Sequence, residues 1–338
     1  MPLGAVAVAV ALLSAGSNSS VGRAAATDIR ISVTPTSGFL DAPFRVRVTG
    51  LKARSWVTVK MVETALPKGT LTVSRAVRAD SSGVADLPQT NVLALVRPTA
   101  RTAADALPRF RRTIRLSALS GGKLLATTTA LRSVVSTSVQ IEKLSPPTTR
   151  FYGEYLHPIR TSRHTTVLLL GGSGGGMPNG YAASLLASHG FPVLALAYFG
   201  APGLPPQLER IPLEYFQRAL TWLAKRPEVS PSRISVVGVS RGGELALLLG
   251  STYPGLIQAV AAYVPSERVN PAPTDFSSPA WTRDGKALPQ TPIAVERITG
   301  RIFLIGAGED RLWPSAQAVN AIKRRMRERG RTPLTALN

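Results

Sequence analysis

The 338 residues include no cysteine, which excludes disulfides, thiolate metal sites and a cysteine nucleophile. Histidine is almost as scarce: His157, His164 and His189 are the full complement, too few for a histidine metal cluster. Acidic residues number 19 against 40 basic ones, leaving a formal net charge of +21. No apolar run reaches the roughly 18 residues that a bilayer-spanning helix requires, so no transmembrane segment is expected. Aromatic residues amount to 6%, and no helix-turn-helix, zinc-finger or aromatic-rich RNA-binding pattern accompanies the positive charge. Nucleic acid is therefore not an expected partner, and neither a metal nor any other cofactor is implied. The composition that remains, 44% hydrophobic and 17% charged, is that of a folded rather than a disordered chain. At roughly 150 residues per domain its length suits two domains.

Of the 40 basic residues 32 are arginine, spread along the chain with one cluster at Lys323, Arg324, Arg325, Arg327, Arg329 and Arg331. Such a charge bears on partners and solubility, not on fold. It would suit a phosphate-bearing substrate or an anionic surface, although a solvated arginine-rich exterior is the simpler reading. Near the N-terminus, Ala5–Leu13 is uninterruptedly apolar and is followed by small and polar residues up to Arg23-Ala24-Ala25-Ala26. That pattern matches the apolar core and small-residue cleavage site of a secretory signal, without its basic leading segment. Residues 1–26 are accordingly expected to be a signal peptide and the protein to be exported, to the exterior or the cell envelope; a cytoplasmic location is the alternative.

Residues 28–140 read as short strands. Ile29–Val33, Phe44–Val48 and Val57–Met61 alternate with period two, and turn signals recur at Gly50, Pro67-Lys68-Gly69, Ser81-Ser82-Gly83 and Gly121-Gly122. The spacing predicts an all-β sandwich. With 17 basic and 6 acidic residues and no histidine, this half offers no acid–base pair, so a supporting or substrate-shaping role is expected of it. Residues 141–338 change texture. Apolar strands at Thr166–Leu170, Pro192–Ala197, Ile234–Val237, Ala259–Tyr263 and Ile302–Ile305 alternate with helical spacing at Tyr181–Ser188, Leu213–Ala224, Arg241–Gly250 and Pro314–Arg329. This alternation predicts a mainly parallel sheet with helices on both faces.

The chemistry concentrates in Gly238-Val239-Ser240-Arg241-Gly242, where a strand passes directly into a helix. Gly-x-Ser-x-Gly in that setting is a nucleophile elbow: the glycines permit a cramped turn that leaves the serine hydroxyl exposed above the sheet. Ser240 is the candidate nucleophile. The backbone N–H of Arg241 is one candidate oxyanion donor, and the run Gly171–Gly176, with Gly172, Ser173 and Gly174, supplies the other. That run lacks the Gly-Lys-Ser/Thr ending of a phosphate-binding loop. Asp310, in the turn after Ile302–Ile305, is the candidate acid, with Glu309 its neighbour; Asp275 and Asp284 come too early, in a proline-rich excursion. A histidine base should follow the acid, and none does, since each of the three precedes Ser240.

In order along the chain, Ile31-Ser32-Val33-Thr34-Pro35, Asp41-Ala42-Pro43, Val48-Thr49-Gly50-Leu51, Gly171–Gly176, Leu194–Phe199, Leu213–Phe216, Gly238–Leu247 and Glu309–Trp313 resemble the acyl-CoA thioesterase / bile acid-CoA:amino acid N-acyltransferase family. The resemblance covers about residues 29 to 335. It implies an immunoglobulin-like N-terminal module on an α/β-hydrolase, an acyl-CoA thioester as substrate, and a Ser-Asp-His triad with Ser240 as nucleophile and Asp310 as acid. Serine, where the bile-acid-conjugating branch has cysteine, implies transfer to water. The family's histidine would lie shortly past Asn338, so the hydrolase domain is expected to be incomplete at its C-terminus, without its last strand. Two other readings compete: a carboxylesterase or dienelactone-hydrolase-like enzyme cleaving oxygen esters, and a binding protein inactive for want of the histidine.

Overall fold

The computed structural model describes residues 28–66, 69–90, 111–159, 164–178, 180–331 and 334–337. The expected signal segment, residues 1–26, and the turn residues Pro67 and Lys68 lie outside them.

Among the described residues the first half has eight strands: β1 (Arg30–Thr34), β2 (Ser37–Phe39), β3 (Phe44–Thr49), β4 (Trp56–Leu66), β5 (Gly69–Arg78), β6 (Ala85–Thr90), β7 (Arg111–Ser120) and β8 (Lys123–Ser133). They form two sheets, ordered β1-β3-β6 and β2-β8-β7-β4-β5. Period-two alternation places Val33, Val46 and Val48 of one sheet and Val59, Leu116 and Ala118 of the other in a single buried core. Gly121 and Gly122 both adopt positive φ in the β7–β8 turn, the backbone twist that a two-residue hairpin requires.

The second half is built on β9 (Val139–Leu144), β10 (Tyr152–Pro158), β11 (His164–Leu170), β12 (Val193–Ala197), β14 (Val229–Val239), β15 (Ala259–Tyr263), β18 (Arg301–Ile305) and β19 (Leu334–Leu337). These line up as β19-β18-β15-β14-β11-β12-β10-β9, and the six strands from β19 to β12 run parallel. A small separate sheet joins β13 (Ile211–Pro212), β16 (Trp281–Arg283) and β17 (Lys286–Ala287). The helices are α1 (Pro146–Thr149), a single turn, then α2 (Gly180–Ser188), α3 (Leu213–Ala224), α4 (Arg241–Thr252) and α5 (Ser315–Glu328).

The structure differs from the sequence expectation in two ways. The helices are unevenly shared: α3, α4 and α5 bury their apolar sides on one face, whereas α2 packs on the other, over β11 and β12. Val239 and Tyr263, on the face that α2 occupies, stay 44% and 39% exposed. The final residues also form a strand after all, since β19 pairs in parallel with β18 over Ile302↔Leu334 to Ile305↔Leu337. Four residues are too few to show a period of their own; the open edge of β18 supplies the pairing that defines them.

The two halves meet at α2. Leu185 enters the sandwich core, while Ala183 and Ala187 pack on the parallel sheet. At the helix's start the Arg112 guanidinium lies 4.9 Å over the Tyr181 ring and pairs with Glu63, both charges being almost wholly buried. At its end Ser188 Oγ accepts from Ser136 N–H at 2.8 Å, and His189 Nε2 lies 2.8 Å from Asp41 Oδ2. Removing one member of a buried ion pair strands the other charge, whereas replacing both by apolar groups is close to neutral. Arg112→Met alone should therefore cost about 3–5 kcal/mol. Glu63→Leu/Arg112→Met together should recover most of that loss, as read by urea denaturation; a double variant no more stable than the single one would refute this account.

Candidate active site

Ser240 occupies the junction of β14 and α4 with φ 56° and ψ −120°, a conformation that non-glycine residues rarely adopt. Such strain costs on the order of 1–3 kcal/mol and persists only where its surroundings enforce it. The enforcement is visible. A Cβ on Gly238 would lie 1.9 Å from Gly242 O, and one on Gly242 would lie 2.2 Å from Gly171 O. Backbone thus packs directly on backbone at the two glycines of Gly-x-Ser-x-Gly. Ser240 N–H donates to Tyr263 O at 2.9 Å, and Ser240 O accepts from Gly243 N–H and Glu244 N–H at 2.8 and 3.0 Å. Those bonds pin the residue from both sides, and its side chain forms no hydrogen bond among the described residues.

The glycine loop closes over the serine. A Cβ on Gly172 would stand 3.3 Å from Ser240 Cβ and 3.8 Å from its Oγ, so a side chain there would crowd the hydroxyl. Ser173 and Gly174 are exposed, with nothing within 4 Å of a Cβ on Gly174. Of the two glycines singled out from the loop, Gly172 is the one brought against Ser240. Tyr198, at the end of β12, donates its hydroxyl to Gly171 O at 2.7 Å and so fixes the loop from below; burial raises its pKa. Arg241 N–H, in the first turn of α4, donates no backbone hydrogen bond among the described residues. It is one of the orphan donors that a helix start leaves free.

The Arg241 side chain turns the other way, into the protein. Its guanidinium donates to Glu244 Oε2 at 2.8 Å and to Asn270 O and Pro271 O at 3.1 and 3.0 Å. Glu244, fully buried, also accepts from Asn270 N–H, Asn270 Nδ2 and Trp281 Nε1 at 3.0, 2.9 and 2.8 Å. Burial pushes the Glu244 carboxyl pKa up and that of Arg241 down, each against the pull of its partner. Asn270 and Trp281 belong to the excursion between β15 and β18, which the sequence reading set aside. Nothing local in the sequence links them to Glu244. Tyr198 did carry a weak signal, as a polar aromatic directly after a fully apolar strand.

Asp310 lies at the same end of the sheet. Trp313 Nε1 donates to Val264 O at 3.0 Å, next to the Tyr263 carbonyl that receives Ser240 N–H. Asp310 Oδ2 accepts from Ser315 Oγ at 2.7 Å, and Oδ1 accepts from Leu312 and Trp313 N–H at 3.0 and 3.4 Å. These bonds, that from Ser315 foremost, hold the carboxyl below its ordinary pKa. Glu309 is exposed. The three histidines all lie toward the opposite end. His164 opens β11, with its N–H on Glu228 O at 3.1 Å. His157 follows Leu156, the partner of the first residue of β12, and stacks on Tyr155. His189 precedes β12 and faces Asp41. A seven-residue strand separates the two ends by about 20 Å, far beyond hydrogen-bond reach. Among the described residues no group of three or more His, Cys, Asp or Glu side chains is placed to hold a metal, and no helix is long and apolar enough to cross a membrane.

Residues 211–278, from β13 through the elbow and into the excursion, match the model of the family described as BAAT / acyl-CoA thioester hydrolase C terminal. Mitochondrial acyl-coenzyme A thioesterase 2 of Homo sapiens is 28% identical over 341 residues, covering 86% of this chain and 69% of its own. Acyl-coenzyme A thioesterase 5 of Mus musculus is 31% identical, covering 79% and 66%. These matches support an assignment to the acyl-CoA thioesterase and bile acid-CoA:amino acid N-acyltransferase family. Acyl-coenzyme A thioesterase 1 of Rattus norvegicus is 34% identical over 189 residues, which take in 49% of this chain but less than half of the relative, 44%. Among solved structures, a dienelactone hydrolase-like promiscuous phosphotriesterase from metagenomic libraries is 17% identical, with a TM-score of 0.43 over 60% of this chain and 82% of that one.

The Asp310 geometry has a consequence for stability. A carboxyl with a depressed folded-state pKa stabilises fully above its unfolded value, near 4, and that contribution fades as pH falls through the folded value. Asp310→Asn should therefore flatten the acid limb of the stability profile, measured as the denaturant midpoint between about pH 6 and pH 2.5. An acid limb as steep in the variant as in the parent would contradict the assigned hydrogen bonds.

Proposed function

We propose that this chain hydrolyses acyl-CoA thioesters to free acid and CoA through an acyl-enzyme on Ser240. The observation that carries the reading is the strained serine, held at φ 56° between two backbone-packed glycines with Gly172 closing over it. In the forward step Ser240 Oγ attacks the thioester carbonyl, its proton passes to water acting as the base, since no histidine of this chain lies within reach, and the tetrahedral oxyanion lies between the N–H groups of Arg241 and Gly172. Collapse breaks the C–S bond and releases the CoA thiolate; water then cleaves the ester by the same route in reverse. Asp310 is the acid that would orient the base. His157, His164 and His189 are not that base, because each lies at the far end of the sheet. A serine rather than a cysteine nucleophile favours water as acceptor. The two-sheet module, antiparallel except where β2 pairs with β8, fits an immunoglobulin-like domain whose part is to hold α2, and through it the glycine loop.

The remoteness of the histidines favours a second reading, in which the chain binds acyl-CoA without turning it over. A fluorophosphonate probe separates the two. The expected result is labelling of the parent, none of Ser240→Ala, and palmitoyl-CoA turnover that is unchanged when all three histidines become glutamine. Turnover lost with the histidines would identify one of them as base, and absence of labelling would leave the binding reading. Hydrolysis of p-nitrophenyl esters with none of palmitoyl-CoA would point to an oxygen-ester substrate instead. Residues 1–26 are proposed as a removable export signal, on the strength of Ala5–Leu13 and Ala24–Ala26. Mass measurement of protein from its native host should find a new N-terminus near Thr27, and an intact Met1 would count against export.

A further inference from the structure

A recess of about 660 Å³ opens between the segment that follows β15 and the helix α5. Gln317, Ala321 and Arg324 line it from α5, spaced four and three residues apart and therefore on one helical face. Arg268 and Asn270 line it from the facing segment, and Trp313 lines it from the loop before α5. Both loops leave the C-terminal ends of parallel strands, the end where Ser240 sits. The connection to the elbow is short: Trp313 Nε1 bonds Val264 O, and the neighbouring Tyr263 O receives Ser240 N–H. The recess is also preorganised, because Asn270 is tied by its backbone and its side-chain amide to the buried Glu244.

Its charge is available rather than spent. Arg324 is exposed and forms no ion pair among the described residues, and Arg268 has a single loose one, 3.6 Å to Glu267, which also lines the recess. Arg325, one residue along, turns inward and is consumed by Glu296 and Ile293 O, both at 2.8 Å. One unpaired and one loosely paired guanidinium around a recess with an indole ring have the complementarity for phosphate and a flat heterocycle together. A bare anion would have no use for the indole, and an apolar acyl chain none for the guanidinium groups.

We propose that this recess takes the phosphorylated nucleotide end of acyl-CoA, its phosphates between Arg268 and Arg324 and its adenine against Trp313. The inference rests on the reading of acyl-CoA as the substrate of Ser240 and adds where the half of that substrate remote from the thioester is held. It also gives Arg324, one member of the basic cluster, a local purpose distinct from the general field of a +21 chain.

The test is calorimetric titration of the 338-residue protein with 3′,5′-ADP, which carries the nucleotide end but no thioester. The parent should bind it, and Arg268→Ala/Arg324→Ala should weaken binding by about tenfold or more, as loss of charge-assisted hydrogen bonds requires. Lys323→Glu, a neighbouring charge that does not line the recess, should stay within about twofold, circular dichroism confirming that all variants fold. No binding by the parent, unchanged affinity in the double variant, or an equal loss in Lys323→Glu would each overturn the inference. Failure of the Ser240 reading would show separately, as a parent that binds 3′,5′-ADP but takes no fluorophosphonate label.

Discussion

A buried carboxylate, Glu244, holds together the parts of this molecule that do chemistry. It lies one turn into α4, the helix that begins at the elbow serine, and it accepts from Arg241, from Asn270 twice, and from Trp281. Desolvating a carboxylate is costly, and only a full set of donors makes it tolerable. The set here comes from three separated stretches, so α4 and the excursion between β15 and β18 are locked in one arrangement. Without Glu244 the Arg241 guanidinium would be a buried charge with carbonyls alone for partners, and Asn270 would lose its anchor beside the recess.

The elbow depends on this lock in a further way. Its strained serine needs surroundings that do not yield, and they are supplied by backbone in contact with backbone at Gly238 and Gly242. The glycine loop is held from one side by the Tyr198 hydroxyl and leads on the other into α2, which the sandwich clamps at both ends. A β module with no acid–base pair of its own thus acts on the site through packing. For the proposed oxyanion donors rigidity is an advantage, since donors that must reorganise as charge develops give back much of what they gain.

Electrostatics divides the surface from the interior. Arginines that enter the protein are matched or stacked: Arg112 with Glu63 and Tyr181, Arg241 with Glu244, and Arg132 over the Phe44 ring. The excess of positive charge is carried outside, where Arg324 faces solvent and the recess and Arg327 faces solvent. Proximity of that charge to the C-terminal ends of the strands places an attraction for phosphate where the substrate would arrive.

Much of this was legible in the residues themselves. Period-two alternation in Ile31–Val33 and Phe44–Val48, the apolar run Thr166–Leu170, and the helical spacing of Leu213, Phe216, Leu220 and Leu223 all became the elements they suggested. Gly238-Val239-Ser240-Arg241-Gly242 was readable because its constraint is local: the turn needs glycine at those spacings whatever surrounds it. The tertiary structure alone decided which loop glycine approaches the serine, Gly172 rather than Gly174. It also decided that Leu334–Leu337 is a strand, that Glu244 is met by Asn270 and Trp281, and that no histidine comes near Ser240. Each of these is a contact between residues far apart in the chain, fixed by sheet order and packing, and a linear pattern carries no record of either.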